Sequence, residues 1–332
     1  MTAAILIYLS RRTRIGQVLV DFPNARGLHA SPVARVGGIA LFVSVWLLSG
    51  FWIQRDLVAA IAGLSVVLLA ISLIDDLRSL AALLRLLVHA GVAIVIVLIW
   101  MDAFGFSSNR LNASASWLRS PACALAVVLA IIWMTNLYNF MDGADGLAGG
   151  MSVIGFGTYA IASALQPNFG VSLGFLAIAI AGASAGFLVF NFSPARVFMG
   201  DAGSIPLGFL AATLGVHGSL EQIWPWWFGV LVFSPFIVDA SATLLRRTAQ
   251  GNKPWIAHRD HYYQRLILGG WSHRKTAFVY YCVMLASAGS ALVAIEHPNA
   301  SVMLITWVIT YGLLLLLAEW HLHQKKNNNI KK

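Results

Sequence analysis

The chain has 332 residues, of which 59% are hydrophobic and only 11% are charged, and its mean hydropathy is +0.77. A soluble domain is about half apolar and a quarter charged, so this composition excludes an ordinary soluble protein. No polar stretch is long enough to form a separate core, and we expect residues 1–332 to form a single integral membrane domain. The formal net charge of +9 indicates basic loops near anionic lipid rather than a nucleic-acid partner.

The apolar stretches predict the membrane spans. A spanning helix needs about 20 apolar residues. Ten stretches are predicted to span: 36–53, 57–74, 80–100, 120–137, 147–165, 171–190, 205–219, 224–244, 276–296 and 301–321. Residues 2–9 are apolar but too short to cross alone, so they are part of an eleventh segment or lie in the interface. The predicted fold is an all-α polytopic bundle of about 10–11 transmembrane helices.

The basic residues divide the loops into two sets and so predict the orientation of the chain. One set comprises loops 10–35, 75–79, 138–146, 191–204 and 245–275 and the basic tail 322–332, which together hold 18 of the 22 Lys and Arg residues. Only three lie in the loops of the other set, and Arg85 lies within a predicted span. Because cytoplasmic loops carry an excess of Lys and Arg, the first set is predicted to be cytoplasmic.

Acidic residues gather at the ends of the predicted spans on this side. Asp75 and Asp76 follow the second span, and Asp201 lies in the Gly-rich turn before the seventh. Charge costs about 2.5–3.5 kcal/mol per residue at mid-helix in a membrane, so it is retained where it has a function. These carboxylates predict a site for a divalent cation and a phosphate. For the Asp75–Asp76 pair alone, an acidic stop at a helix end is the alternative.

Four polar residues recur at strict intervals of three: Asn136, Asn139, Asp142 and Asp145. On an α-helix adjacent members would share a face, since each step of three falls back by about 60°. Oxygen ligands of this kind suit Mg²⁺, which keeps waters and binds one or two carboxylates together with substrate phosphates. The alternative is a capped helix break without a ligand.

Two cytoplasmic loops carry groups that suit other parts of a ligand. The first loop offers Arg26, His29 and Arg35 as donors to an anion, unless it is only a basic loop that sets orientation. The loop before the seventh span contains Phe198, which is placed to stack on a base. From spacing alone, ordinary packing is the better explanation of Phe198.

The last large loop concentrates basic side chains. It holds His258, Arg259, His261 and Arg265 within eight residues. Guanidinium forks match phosphate oxygens, so this loop is able to clasp a pyrophosphate. A zinc site is the competing hypothesis, but two His and one Asp are too sparse a ligand set to prefer it.

Taken in order, these motifs resemble the polyprenyl-phosphate N-acetylhexosamine-1-phosphate transferase family over residues 20–275. The specific signals are the run N-x-x-N-F-x-D-G-x-D-G-L-A at 136–148 and P-A-x-V-F-M-G-D-x-G-S at 194–204. The sequence H-R-D-H-Y-Y-Q-R at 258–265 is similar to the bacterial O-antigen-initiating branch. It lacks the triple-His run of the muramoyl-pentapeptide branch, which argues against a peptidoglycan substrate.

The resemblance implies a reaction and its partners. A UDP-N-acetylhexosamine would give its sugar-1-phosphate to undecaprenyl phosphate, producing undecaprenyl-pyrophosphoryl-sugar and UMP. This would be the first membrane step of O-antigen or another cell-envelope polysaccharide. The site would use Mg²⁺ or Mn²⁺ and lie on the cytoplasmic face of the bacterial inner membrane. The sequence decides neither the amino sugar nor whether the chain forms a homodimer.

The same resemblance implies roles for the motif residues. The expected roles are catalysis for Asp75, Asp76 and Asp142, metal binding for Asn139 and Asp201, nucleotide binding for Asp145 and Phe198, and contact with pyrophosphate and sugar for His258, Arg259, His261 and Arg265. Asp75 would bind or deprotonate the lipid phosphate. Phosphoryl transfer depends mainly on positioning and charge neutralisation, which such residues provide.

Two other functions are compatible with a polytopic chain. A secondary transporter usually carries its charges near the membrane midplane, between repeats. Here the carboxylates lie toward one surface and no repeat is apparent, which disfavours transport. A glycosyltransferase that releases UDP would need a sizeable soluble nucleotide-binding domain, which the composition excludes. Release of UMP rather than UDP distinguishes the two transferase hypotheses.

Overall fold

The computed structural model of the chain describes residues 1–10, 18–22, 32–49, 57–106, 117–166, 171–253, 256, 258–295 and 300–330. The α-helices of these residues are α1 (Thr2–Ser10), α2 (Gly37–Ser49), α3 (Leu57–Arg78), α4 (Ala82–Met101), α5 (Pro121–Phe140), α6 (Leu147–Leu165), α7 (Val171–Asn191), α8 (Asp201–Leu220), α9 (Trp227–Val232), α10 (Ser234–Ala249), α11 (Tyr262–Leu268), α12 (His273–Ala294) and α13 (Ala300–Ile330). A π-helical turn, Asp102–Phe106, follows α4.

The predicted all-α membrane fold is confirmed. Among the described residues, eight helices are long and apolar enough to cross a membrane, and these are α3, α4, α5, α6, α7, α8, α12 and α13. Strand structure is limited to β1 (Val20–Asp21) and β2 (Val33–Ala34) in the described ranges, and these strands pair antiparallel. Ala34 also bridges Val197 in parallel, so β2 lies against the segment that precedes α8. The protein is therefore a multi-pass helix bundle.

Two predicted spans differ from the structure. The stretch 36–53 contains α2, which has 13 residues and is about 20 Å long at 1.5 Å per residue. This is shorter than a bilayer core of about 30 Å, and residues 50–56 lie outside the described ranges. The stretch 224–244 divides into α9 and α10 at Phe233. Pro235 opens α10, because proline has no N–H and clashes with the preceding turn inside a helix.

The helix α8 lies at the centre of the bundle and α13 lies at its edge. In an 18-residue apolar stretch of each helix, 83% of the residues are buried in α8 but only 6% in α13. Glycines bring neighbouring backbones close to α8: a Cβ on Gly208 would lie 2.6 Å from the carbonyl oxygen of Met134 in α5. A Cβ on Gly38 of α2 would lie 2.4 Å from the backbone nitrogen of Gly203. This packing holds the N-terminus of α8, with Asp201, where α3 and α5 end.

Candidate active site

The end of α3 carries a carboxylate that is tied to the next helix. Asp75 is buried, and its Oδ1 accepts a hydrogen bond of 2.6 Å from the backbone nitrogen of Leu80. Its Oδ2 accepts one of 2.8 Å from Nη1 of Arg85, one turn into α4. Arg85 lies inside an apolar helix, and the ion pair with Asp75 compensates its charge.

Asp76 joins three segments that are distant in sequence. Its Oδ2 accepts a hydrogen bond of 3.2 Å from the backbone nitrogen of Ala202, in the first turn of α8. Its Oδ1 lies 3.4 Å from Nη1 of Arg35, whose Nη2 is 2.7 Å from Asp21. A carboxylate is favoured at a helix N-terminus, where the backbone N–H groups are unpaired. Gly200 has φ of 71° and a Cβ there would lie 3.1 Å from Asp76 Oδ2, so the turn favours glycine.

Asp201 is where α4, α5 and α8 meet. Its Oδ1 accepts a hydrogen bond of 2.8 Å from Nδ2 of Asn139, and its Oδ2 lies 3.3 Å from Nη1 of Arg85. Asn139 Nδ2 is also 2.9 Å from Oγ of Ser204, one turn further along α8. The structure thus brings together Asp75, Asn139 and Asp201 around Arg85, although these residues are up to 126 positions apart in the chain.

Asp142 follows α5 and shares this acidic environment. Burial raises its pKa well above the usual range of a carboxyl, and the nearby negative charges of Asp201 and Asp76 raise it further, against the opposing effect of Arg35. A protonated or cation-bound Asp142 relieves this repulsion. The four carboxylates Asp75, Asp76, Asp142 and Asp201 are thus crowded around two arginines.

The oxygen atoms of this cluster suit a cation that needs few protein ligands. In the part of the chain that the structure describes, no three His, Cys, Asp or Glu side chains form a complete metal cage. Mg²⁺ typically uses one or two carboxylates and completes its shell with waters and substrate phosphates. Asp201 beside Asn139, with Asp142 crowded nearby, is an oxygen-rich set of that kind.

Only the first part of the 136–145 run is helical. The helix α5 ends at Phe140, so Asp142 and Asp145 lie in the turn beyond it. Asn136 donates back to the carbonyl of Ile132 at 2.7 Å rather than into the cluster. Only Asn139 of the two asparagines contacts the carboxylates, because a residue three positions earlier lies about one helical turn deeper in the bundle.

Asp145 occupies a neighbouring site rather than the carboxylate cluster. Its Oδ2 accepts a hydrogen bond of 3.1 Å from the backbone nitrogen of Ala195, and its Oδ1 lies 3.4 Å from Nδ1 of His273 on α12. Burial acts to raise the pKa of Asp145, but the hydrogen bond and charge of His273 and the Ala195 N–H outweigh it, and the pKa is lowered. Asp145 is therefore an ionised acceptor at neutral pH.

Phe198 lies on the segment between α7 and α8 and is half-buried. Its backbone nitrogen donates to Ala34 at 2.9 Å and its carbonyl accepts from Gly37 at 3.0 Å. Asn191, to which the sequence assigned no role, links this segment to the Asp145 turn. It is buried, accepts from the backbone nitrogen of Gly146 at 2.9 Å, and donates to the carbonyl of Val197 at 3.0 Å.

The helix α11 carries one of the four predicted basic residues, Arg265, and begins directly after His261. It is anchored by Asp239 of α10. Asp239 accepts hydrogen bonds from the backbone nitrogens of Tyr262 at 2.9 Å and Tyr263 at 3.0 Å, which are the first two residues of α11. Tyr263 Oη donates to the carbonyl of Phe140 at 2.8 Å. These contacts place α11 beside the end of α5, where Asp142 begins the next turn. A single Asp near a span end was the only sequence signal for this anchor.

The two histidines of the basic loop lie together. The rings of His258 and His261 are 4.9 Å apart, and His261 Nδ1 is 3.5 Å from Asp239. His258 Nδ1 accepts a hydrogen bond of 3.2 Å from the backbone nitrogen of Asp260, so its proton lies on Nε2. Burial lowers the pKa of His258 to about 4, with further lowering by His261 and Arg247. His258 thus offers a hydrogen bond, not a charge, at neutral pH.

The two arginines of this loop differ in their surroundings. Arg265 is paired with Glu319 of α13 through both ends of its guanidinium fork, with Nη2 2.8 Å from Oε2. Arg246 Nη1 lies 3.2 Å from the same carboxylate. Arg259 is exposed to solvent. Of the first-loop donors, Arg35 joins Asp76 as described, and Arg26 and His29 lie outside the described residues.

Part of this site lies in a segment that matches a known protein family. Residues 58–219 match the profile of glycosyl transferase family 4. The chain is 31% identical over 300 residues to a probable undecaprenyl-phosphate N-acetylglucosaminyl 1-phosphate transferase of Bacillus subtilis, covering 88% of this chain and 82% of the relative.

Two further relatives indicate how broad the similarity is. An undecaprenyl-phosphate alpha-N-acetylglucosaminyl 1-phosphate transferase of Yersinia pestis is 29% identical, over 87% of this chain and 80% of its own length. A phospho-N-acetylmuramoyl-pentapeptide-transferase of Anoxybacillus flavithermus is 28% identical, over 86% of this chain and 90% of its own length. Similarity of overall sequence therefore does not separate the two substrate classes in these names.

Proposed function

Because this chain belongs to the polyprenyl-phosphate N-acetylhexosamine-1-phosphate transferase family, we propose that it transfers an N-acetylhexosamine-1-phosphate from a UDP-sugar to undecaprenyl phosphate. The products are undecaprenyl-pyrophosphoryl-sugar and UMP. The reaction begins the synthesis of O-antigen or another cell-envelope polysaccharide. It takes place at the cytoplasmic face of the bacterial inner membrane, the side on which the excess of Lys and Arg predicts that the site loops lie.

The observation that carries this proposal is the joining of two clusters at one end of the bundle. One is the network of Asp75, Arg85, Asn139 and Asp201. The other is the basic loop, which the hydrogen bond from Tyr263 to Phe140 holds beside it. Carboxylates for a cation next to donors for a pyrophosphate suit transfer between two phosphates. Carboxylates gathered at one end also differ from the midplane charges of a transporter.

The chemistry asks for positioning more than for a strong base. An oxygen of the lipid phosphate attacks the sugar-bearing phosphorus of the donor, and the bond to the departing UMP oxygen breaks. The lipid phosphate is already anionic near neutral pH, so a strong base is not required. We assign Asp75 to holding Arg85, whose guanidinium is the group that can attract the phosphate. A Mg²⁺ ion held there would supply positive charge to balance the pyrophosphate oxygens. Asp201 and Asn139 would hold this ion, with Asp142 and Asp76 beside them.

The remaining residues bind the donor. Asp145 and Phe198 lie on the two segments that Asn191 links, and we assign them to the uracil base. His258, Arg259 and His261 are assigned to the pyrophosphate and sugar. Arg265 belongs to the same loop, although its fork faces Glu319 in this structure. The His258–Arg265 sequence, without a triple His, favours a simple amino sugar over a muramoyl pentapeptide.

The experiment that tests this function uses the purified full-length protein in detergent with undecaprenyl phosphate. A panel of UDP-N-acetylhexosamines and UDP-muramoyl-pentapeptide is offered with Mg²⁺, and both the lipid product and the released nucleotide are measured. UMP and a lipid pyrophosphoryl sugar are expected with at least one UDP-amino sugar, and none after chelation of the metal. Release of UDP, or turnover of the pentapeptide donor alone, would contradict the proposal.

A further inference from the structure

A second binding region lies on the side of α11 that faces away from the carboxylates. A cavity of about 300 Å³ lies among α10, α11, α12 and α13. Most of the described lining is hydrocarbon, including Val238, Val279, Leu314, Leu315 and Ala318. Ligand pockets typically start at about this volume and are mostly apolar. Because α13 lies at the edge of the bundle, with only 6% of an 18-residue apolar stretch buried, this cavity lies next to the bilayer.

The carboxylate in the lining, Asp239, already has hydrogen-bond partners. Asp239 accepts from the backbone nitrogens of Tyr262 and Tyr263, and Tyr280 Oη also donates to it. A buried carboxylate whose oxygens are occupied offers little to a second polar ligand. The part of a ligand inside the cavity is therefore a hydrocarbon chain.

The mouth of the cavity at the site end is basic. Tyr262 and Trp271 line the cavity there. The guanidinium carbons of Arg246 and Arg265 lie 5.4 and 5.3 Å from the ring centre of Tyr262, and Nζ of Lys275 lies 4.2 Å from that of Trp271. Lys325 donates to the carbonyl of Gly269 nearby. These four cations face two carboxylates among the described residues, those of Asp239 and Glu319. The mouth therefore carries more positive than negative charge.

The cavity and the carboxylate cluster are on different faces of α11. Tyr262 and Leu266, four residues apart, both line the cavity. Tyr263 points instead to Phe140 at the end of α5. Consecutive residues on a helix are about 100° apart, which explains the division. A phosphate at the basic mouth is thus separated by α11 from Asp75 and Asp201, so the acceptor substrate is not the natural occupant.

We propose that this cavity binds one acyl chain of an anionic membrane phospholipid, with the headgroup phosphate at the basic mouth. Basic pockets between transmembrane helices on the cytoplasmic side are suited to anionic headgroups. The acyl chain fills space that the side chains of α13 leave unpacked, and it supports α11 from the membrane side. The inference stands apart from the proposed transfer reaction, because lipid binding is measured without turnover.

The test is native mass spectrometry of the full-length protein in detergent with phosphatidylglycerol and phosphatidylcholine of identical chains. The wild-type protein is expected to retain phosphatidylglycerol preferentially. Leu315→Trp fills the cavity and should weaken that binding by about fourfold for each methylene it excludes. Leu313→Trp is the matched control, since Leu313 is 56% exposed on the same helix and faces lipid. Ala318→Leu is a milder filling variant should Leu315→Trp fail to fold.

The headgroup contact has its own pair of variants. Lys275→Gln removes one cation from the mouth and should reduce the preference for phosphatidylglycerol about fivefold, the effect of one basic residue near an anionic surface. Arg196→Gln removes an exposed charge near Phe190 and should leave the preference unchanged. Equal binding of the two lipids by the wild type, or equal losses in Leu315→Trp and Leu313→Trp, would overturn the proposal. Displacement of the tightest phosphatidylglycerol by an equal amount of undecaprenyl phosphate would also overturn it, by making the cavity a substrate site.

Discussion

At the scale of single residues, Asp201 is the point on which the candidate site converges. It opens the central helix α8, accepts from Asn139 and faces Arg85. Asp76 accepts from the next backbone N–H of the same turn. Removing the charge of Asp201 is therefore expected to alter the electrostatics of the whole cluster without changing the packing of α8.

Asp201→Asn is expected to lower turnover by about a hundredfold or more, because an amide keeps the shape but loses the charge that a cation needs. The measurement is the rate of UMP release with saturating Mg²⁺, together with the thermal unfolding midpoint. Asp102→Asn is a matched control, since Asp102 is an exposed carboxylate at the other end of α4. A fully active Asp201→Asn protein that requires no metal would remove the metal assignment.

His258 supplies a prediction about pH. Its pKa of about 4 in the folded protein is below the ordinary value of 6.5, because burial and the neighbouring His261 and Arg247 disfavour the charged form. The unfolded chain therefore binds more protons between these values, so the contribution of His258 to stability is fully present above pH 6.5 and is lost as the pH falls towards 4.

His258→Gln should flatten this dependence. The midpoint of thermal unfolding, measured from pH 7.5 to 4.5 in about half-unit steps, is expected to fall less in the variant than in the wild type. His323→Gln, at the end of α13, is a control that leaves His258 and its neighbours in place. Parallel curves for wild type and His258→Gln would show that His258 is not held neutral by its surroundings.

At the scale of elements, α11 is a seven-residue helix whose position depends on three others. Asp239 of α10 binds its first backbone N–H groups, Phe140 of α5 accepts from Tyr263, and Glu319 of α13 pairs with Arg265. An isolated helix of this length is not stable in water. The basic loop is therefore positioned by the surrounding bundle, and its chemistry depends on residues far from it in the chain.

The ion pair between α11 and α13 is tested by exchanging its charges. Arg265→Glu and Glu319→Arg are each expected to lower activity, because each leaves like charges opposed at the base of α11. The double variant should recover most of the loss in turnover, since it restores one cation and one carboxylate in contact. Arg196→Glu combined with Glu319→Arg is the control, because exposed Arg196 lies near Phe190 and is not the partner of Glu319.

The kinetic constants separate two roles of Arg265. If it only positions α11, the double variant regains both kcat and the KM for UDP-sugar. A double variant that folds and unfolds like the wild type, yet keeps a raised KM, would place Arg265 in direct contact with the pyrophosphate. Arg265 would then release Glu319 when the donor binds.

At the scale of the whole molecule, the site residues lie at one end of a multi-pass bundle. The loops at this end hold most of the basic residues of the chain. Eight helices of the described residues are able to cross a membrane. Charge asymmetry of this kind predicts that the site end faces the cytoplasm, where nucleotide sugars are present.

Cysteine labelling tests this orientation. Gln250→Cys lies just beyond α10 at the site end, and Glu221→Cys lies just beyond α8 at the opposite end. With Cys123 and Cys282 replaced by Ser, an impermeant maleimide is expected to label Glu221→Cys in intact cells. Gln250→Cys should be labelled only after the cells are opened. The reverse pattern would place the site outside the cytoplasm and separate it from its nucleotide.

Hydropathy and charge in the sequence were sufficient to predict an all-α membrane protein, the approximate ends of eight spans and one end rich in carboxylates. These properties are local, because each span is defined by its own composition and each loop by its own charge. The motif runs 136–148 and 194–204 were also enough to indicate the family. The resemblance then implied that Asp75 and Asp76, which lie outside these runs, share one site with Asn139 and Asp201.

Only the tertiary structure decided how these parts meet. It showed that α5 stops at Phe140, so that Asp145 leaves the carboxylate cluster, and that Pro235 divides a predicted span. It also revealed the anchor Asp239 and the pairing of Arg265 with Glu319, which are 54 positions apart. Such contacts follow from the way helices pack and not from local periodicity, because a side chain's partner depends on which neighbouring helix end it reaches.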